Sequence, residues 1–272
     1  MHRTFSTPDP VSLYVELRSG DVVVTTADTE ETVVEVSGAD EDLVSVDQRG
    51  DEIAVVVRGG RGGLWSQGRG VDVAVTVPHE SRLTTKLGSA DVRVDGRLGE
   101  TSLRSGSGDL RLEVVAQASV ETGSGDLQLG CVTGALQVKS GSGNVVVDRL
   151  GGEAQISTGS GDVLVGASAE PVAVRSGSGD LRVREAGDDV ALNTASGDLV
   201  VDRMVRGRLS AKNASGDIVV GVPAGVPVWT DISTVSGRLR STLQGAGQPA
   251  EGQDHLELRV KTVSGDITLQ QL

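Results

Sequence analysis

An all-β fold, a parallel β-solenoid or β-helix with about 18 residues per coil, is what this sequence predicts, and three observations predict it. First, a Ser-Gly-Asp turn returns every 17 to 19 residues: Ser107-Gly108-Asp109, Ser124-Gly125-Asp126, Ser142-Gly143-Asn144, Ser160-Gly161-Asp162, Ser178-Gly179-Asp180, Ser196-Gly197-Asp198 and Ser215-Gly216-Asp217, with Ser89-Ala90-Asp91 as a degenerate first copy. A fixed period of this length marks a repeat architecture. Second, apolar residues alternate with polar ones on both sides of each turn, the mark of a strand with one buried face. Third, aromatic residues are 1% of the chain, only Phe5, Tyr14, Trp65 and Trp229, while glycine reaches 38 copies. Burial must then come from many small aliphatic side chains stacked in order.

The elements follow in chain order. Residues 1–85 form an N-terminal β-strand region with alternating runs Val11 to Leu17, Asp21 to Thr26, Thr32 to Ser37, Ile53 to Arg58 and Val71 to Val77, joined irregularly. Within it Ser19-Gly20-Asp21-Val22-Val23-Val24 already resembles one repeat, so the region reads as an imperfect beginning of the same solenoid.

Residues 86–220 are the regular repeats. Counting from the turn Asp or Asn, apolar residues stand one and three places on, as in Leu110 and Leu112, Leu127 and Leu129, Val145 and Val147, Val163 and Val165, Leu181 and Val183. A second pair stands ten and twelve places on, as in Leu136 and Val138, Ala154 and Ile156, Val172 and Val174, Val190 and Leu192. Each repeat thus holds two short strands and two turns. One unit cannot bury its apolar face alone, whereas stacked copies pair each strand with its equivalent in the next coil.

Before each turn runs a small polar column, Ser105, Thr122, Ser140, Thr158, Ser176, Thr194 and Asn213, suited to a tight corner and to hydrogen bonds from rung to rung. The second glycine of the turn persists from Gly108 to Gly216, while Ala195 and Ala214 replace the first, so only the first position is expected to tolerate a Cβ. Gly143→Val is therefore expected to destabilise far more than Ala195→Gly. Residues 221–272 are irregular C-terminal coils and a cap: the spacing lengthens to 21 at Ser236-Gly237-Arg238 and to 28 at Ser264-Gly265-Asp266, with Pro223, Pro227 and Trp229 between. Atypical terminal repeats usually cap the exposed strand edge.

Function is less legible than fold. The net charge of −13 opposes phosphate backbones, so nucleic acid is not an expected partner. The single cysteine, Cys131, rules out an intramolecular disulfide framework and fits a reducing compartment. Residues Met1 to Pro10 contain no apolar h-region, and no stretch approaches the roughly 20 apolar residues of a transmembrane segment, which makes the cytoplasm the default location and leaves envelope association open.

The turn aspartates Asp109, Asp126, Asp162, Asp180 and Asp198 are the calcium candidates, because Gly- and Asp-rich β-rolls bind Ca²⁺ through repeated turn carboxylates. Their spacing argues against it. Those repeats read Gly-Gly-x-Gly-x-Asp, whereas here Asp directly follows Gly once per coil. The structural alternative is that each Asp accepts hydrogen bonds from backbone N–H groups of its own turn.

No metal or cofactor is expected, and no catalytic residues: His2, His79 and His255 are scattered and fall in no nucleophile motif. The segment Arg58 to Gly70, with Trp65 at its centre, reads as a loop joining two strands. Trp65 and Trp229, where the repeat fails, are the expected contacts for a protein partner.

The lead-in Phe5-Ser6-Thr7-Pro8, the strand Val71-Asp72-Val73-Ala74-Val75-Thr76-Val77-Pro78, the tandem Ser-Gly-Ser-Gly-Asp turns and the closing Val263-Ser264-Gly265-Asp266-Ile267 together resemble the putative-adhesin β-strand-repeat family of bacteria, common in actinobacteria. The resemblance covers nearly the whole chain. It implies a β-solenoid and carries no established catalytic or binding residues. The expected role is a non-enzymatic, adhesin-like scaffold or interaction protein of open oligomeric state. A secreted or surface adhesin, a self-assembling filament with an uncapped edge, and a carbohydrate-active β-helix enzyme with converging carboxylates are the alternatives.

Overall fold

The computed structural model describes residues 1–57, 70–244 and 255–272, and the chain divides into two compact units, 1–133 and 134–272. The chain is all-β and solenoidal, with parallel strands stacked coil upon coil and one short 3₁₀ turn at Glu41–Leu43.

The first unit contains β1 (His2–Ser6), β2 (Ser12–Ala27), β3 (Glu31–Gly38), β4 (Val44–Arg49), β5 (Glu52–Val57), β6 (Val71–Pro78), β7 (Arg82–Ser107), β8 (Leu110–Ser124) and β9 (Leu127–Val132). Strand β2 pairs in parallel with β7 from Ser12↔Arg82 to Thr25↔Asp95, and this register lays Ser19, Gly20 and Asp21 directly on Ser89, Ala90 and Asp91. The Ser-Gly-Asp motif at residue 19 is therefore a true coil. On its other side β2 pairs in parallel with β5 and β6, so the β2 coil lies between strands that both come later in the chain.

Among the described residues three strands break the parallel rule. Strand β4 runs antiparallel to β5, β3 antiparallel to β6, and β1 antiparallel to β3, covering the outer side of the β5 and β6 coil. The alternation pattern gives no strand at His2–Ser6 or Val44–Arg49. The reason is physical: β1 buries none of its residues and β4 only Val44, so neither carries the apolar alternation of a half-buried strand.

The second unit contains β10 (Leu136–Ser142), β11 (Val145–Leu150), β12 (Ala154–Ser160), β13 (Val163–Ser168), β14 (Val172–Ser178), β15 (Leu181–Ala186), β16 (Val190–Ser196), β17 (Leu199–Met204), β18 (Gly207–Ser215), β19 (Ile218–Val222), β20 (Val228–Ser236), β21 (Leu239–Ser241), β22 (Leu256–Ser264) and β23 (Ile267–Gln271). Strands two apart in number stack in register, so like sits on like: Val145, Val163, Leu181, Leu199 and Ile218 form one ladder, and Val147, Val165, Val183, Val201 and Val220 the next. All ten are buried. Each such side chain contributes roughly 1.5–3 kcal/mol of burial, which is how a chain nearly without aromatics builds a core.

The lengthened spacings have a topological cause. After β18 and β19 the chain leaves a rung empty, lays down β20 and β21, and then returns to fill the gap with β22 and β23. Thus Ser264 sits on Ser215, 49 positions earlier, and Ser236 sits on Ser264. Stacking order and chain order part company here, as they do around β2.

Candidate functional site

The repeated turn is built from its backbone outwards. Gly161, Gly179, Gly197 and Gly216 have φ between +120° and +131°, a region that side-chain-bearing residues rarely enter. The N–H of Gly161 donates to the Ser178 carbonyl at 3.1 Å, that of Gly179 to Ser196 at 3.0 Å and that of Gly197 to Ser215 at 3.0 Å. The same serine carbonyls accept from the column hydroxyls two residues earlier, Ser176 at 2.9 Å and Thr194 at 3.0 Å. The hydroxyls of the column thus close their own corners, and Asn213 does both, its Nδ2 donating to Gly216 O of its own turn at 2.8 Å and to Gly197 O of the neighbouring rung at 3.2 Å. Rung-to-rung contact between hydroxyls occurs at the turn serine, where Ser107 Oγ meets Ser89 Oγ at 2.9 Å.

The aspartates also act differently from the expectation that each would cap its own turn. Asp162 Oδ1 accepts the backbone N–H of Asp180 at 2.8 Å, Asp180 Oδ1 that of Asp198 at 2.8 Å, and Asp198 Oδ1 that of Asp217 at 2.7 Å. In the first unit Asp91 accepts from Asp109 and Asp109 from Asp126 in the same way. Each carboxylate therefore caps the turn of the following coil. Asn144 does this with its amide oxygen, accepting the Asp162 N–H at 3.0 Å, so the role needs an oxygen and not a charge. Among the described residues no three His, Cys, Asp or Glu side chains gather as a metal site would require.

In the first unit an open depression of about 430 Å³ is lined by His2, Asp21, Glu35 and Asp72 among others, and His2 Nδ1 faces Glu35 at 3.3 Å. His79 Nδ1 meets Thr26 Oγ1 at 2.9 Å. Neither histidine is set against a serine or cysteine nucleophile. Tyr14 donates its hydroxyl to Glu16 at 2.7 Å, which holds the Glu16 carboxyl below its ordinary range, helped by Lys86.

Exposed apolar side chains are concentrated in the last two rungs of the second unit. Trp229 (53% exposed), Val235 (80%), Leu239 (52%) and Val263 (54%) all lie in β20 to β22. Val235 and Val263 occupy the position that is Gly159 and Gly177 in earlier coils and Ala195 and Ala214 nearer this end, so the column gains bulk towards its outer rung. Arg259 lies over the Trp229 ring at 5.8 Å and bonds Glu257 at 2.6 Å, and Glu257 also accepts from Arg208 at 2.6 Å. The Arg208 hydrogen bond, with the charges of both arginines, holds the Glu257 carboxyl below the usual range. Trp229 thus carries a charge-paired arginine over its ring and stands half exposed outside the core. Of the two expected contact residues, Trp229 stands exposed on β20, and Trp65 lies outside the described residues.

The Toastrack DUF4097 family matches residues 11–270, and the chain belongs to that family. Among solved structures the chain is similar to a putative lipid binding protein of Parabacteroides distasonis, at 13% identity and TM-score 0.46 with 99% of this chain and 96% of that one covered. It is also similar to a putative adhesin of Bacteroides fragilis, at 12% identity and TM-score 0.38 with coverages of 99% and 96%. A putative cell adhesion protein of Clostridium sporogenes is similar at 10% identity and TM-score 0.25, with coverages of 100% and 99%. No curated protein matches the chain.

Proposed function

We propose that this Toastrack chain is a non-enzymatic β-solenoid scaffold whose work is protein contact, adhesin-like in kind, made through the C-terminal rungs around Trp229. The observation that carries the reading is the concentration of exposed apolar side chains on the last two rungs, Trp229, Val235, Leu239 and Val263, four of the seven large apolar side chains exposed among the described residues. Val235 and Val263 adjoin across the β20–β22 pair, and exposed apolar surface of this sort marks interaction sites. The turn column supports a scaffold role from the other side, because its aspartate and serine oxygens are engaged in holding coil on coil. Among the described residues no helix is long and apolar enough to cross a membrane.

Capture with the tagged full chain from its native cells tests the reading, with Trp229→Ser as the comparison. Proteins retained by the wild type and lost by the variant, at an unchanged melting temperature, are the expected result. Identical captures would refute the assignment of contact to these rungs. Fractionating the same cells separates a surface adhesin from an internal scaffold.

A further inference from the structure

Strand β20 is an edge. It pairs over its whole length with β22 on one side, and among the described residues no strand pairs with the other. Its inward row shows the consequence: Val228, Ile232 and Thr234 are only half-buried and Thr230 is exposed, whereas Leu256, Leu258, Val260 and Thr262 one rung inside are buried.

In a parallel ladder successive residues direct their N–H and C=O to opposite neighbours. The Leu256 N–H donates to Pro227 O at 2.9 Å, which assigns the odd-numbered residues of β20 to β22. The backbone groups of Val228, Thr230, Ile232 and Thr234 therefore point to the open side. The strand has neither lysine nor internal proline, the usual protections of an edge.

We propose that this edge pairs with the same edge of a second copy of the chain, antiparallel and centred on Ile232. This deepens the contact reading above and rests on it. The case for a second copy is the self-complementarity of the strand. A two-fold axis at Ile232 sets Ile232 opposite its own copy and Thr230 opposite Thr234 of the partner subunit, residues whose backbone groups face outwards, and the outward ladder ends there because the Ser236 carbonyl turns back to the Gly265 N–H at 2.9 Å. On the outer face it sets Trp229 opposite Val235 of the partner subunit, joining two of the exposed apolar side chains at the closely spaced, non-hydrogen-bonded positions. Asp231, the only charge in the strand, meets Ser233 of the partner subunit, so no like charges oppose. The pairing uses the edge of both copies, so assembly through it closes at two.

Light scattering of the purified full chain, over roughly 1–100 µM where interfaces of moderate affinity associate, tests the proposal. The expected mass is twice the 27.9 kDa of one chain. Thr230→Pro removes an outward N–H while leaving the β22 ladder its donors, and is expected to weaken association at least about tenfold, since the two-fold repeats the loss. Thr230→Ala is expected to stay dimeric. Should Thr230→Pro lower the melting temperature, Val235→Asp serves instead, because its 80% exposure keeps it out of the fold. Wild type at single-chain mass throughout the range, or a folded Thr230→Pro or Val235→Asp that still dimerises as wild type does, overturns the pairing. A monomer whose Trp229→Ser variant still loses captured proteins would overturn the pairing and leave the contact reading standing, so the two fail separately.

Discussion

Gly161→Ala is the substitution that tests most directly what the turn glycine does. Gly161 has φ +120°, and a Cβ there would lie 2.2 Å from the Gly143 carbonyl oxygen and 2.8 Å from its carbon. Two costs follow. Holding alanine in that backbone region costs about 1–3 kcal/mol. Displacing a main-chain carbonyl fixed in a stack adds about 1–3 kcal/mol of overpacking. A mid-range loss of about 4 kcal/mol lowers the melting temperature by roughly 8–16 °C, at about 2–4 °C per kcal/mol for a chain of this size. Gly159→Ala separates the two costs, since Gly159 has no positive φ and its Cβ would meet the Gly141 oxygen at 2.7 Å, in a column where Ala195 and Ala214 already stand. It should lose only about 1 kcal/mol, the low end of overpacking. Ala195→Gly should lose about 0.5–1 kcal/mol through added chain freedom. Thermal unfolding followed by circular dichroism reads all three, and Gly161→Ala and Gly159→Ala melting at the same temperature would refute the argument.

The aspartate column and the returning coil make their own predictions. Asp180→Ala removes the acceptor of the Asp198 N–H at 2.8 Å and should cost about 0.5–1.5 kcal/mol, while Asp180→Asn, which copies Asn144, should unfold with wild type; equal losses for the two in urea titration would show that charge and not the oxygen matters. Leu258 is wholly buried between Leu209 and Thr230, so Leu258→Ala should cost about 2–5 kcal/mol. Ile232→Ala, on the half-buried edge rung, should cost about 1–2 kcal/mol in the monomer. Matching losses at Leu258 and Ile232 would contradict the placement of β22 inside β20.

What the sequence discloses follows from how repeats encode structure. Val145, Val163 and Leu181 are legible as a ladder because parallel stacking puts equivalent residues in equivalent places, and the period is then the structure. The aspartate's true acceptor role was not legible, since an Asp after Gly reads as a local cap and its N–H donor lies 18 residues away on the next coil. Asn144 was the available signal: an amide oxygen in a carboxylate column says that acceptance is the common requirement. The exposed surface of the last rungs was half legible. A lone tryptophan among valines stands out, but Val235 and Val263, at the other end of the same strand pair, are set side by side by a rung order that no spacing discloses.

That rung order explains why the unusual chemistry collects where it does. A coil in the middle of a stack has each strand paired on both sides, so its residues are tied to turn and ladder and little is left to vary. Inserting β22 and β23 between β19 and a later coil extends this double pairing to them: Leu258 and Val260 are as deeply buried as Leu192 in the regular repeats. The single pairing is transferred to β20, a strand internal to the sequence and held on both flanks by chain. An edge held in this way frays less than a free chain end, because opening it means moving two connections. It can then carry Trp229 and Val235 exposed on a strand of fixed register. In the first unit the corresponding outer coil of β5 and β6 is covered by antiparallel β3 and β4. The same insertion device serves there to bury an edge, and here it leaves β20 as an edge that no strand covers among the described residues, which is the surface the proposed pairing uses.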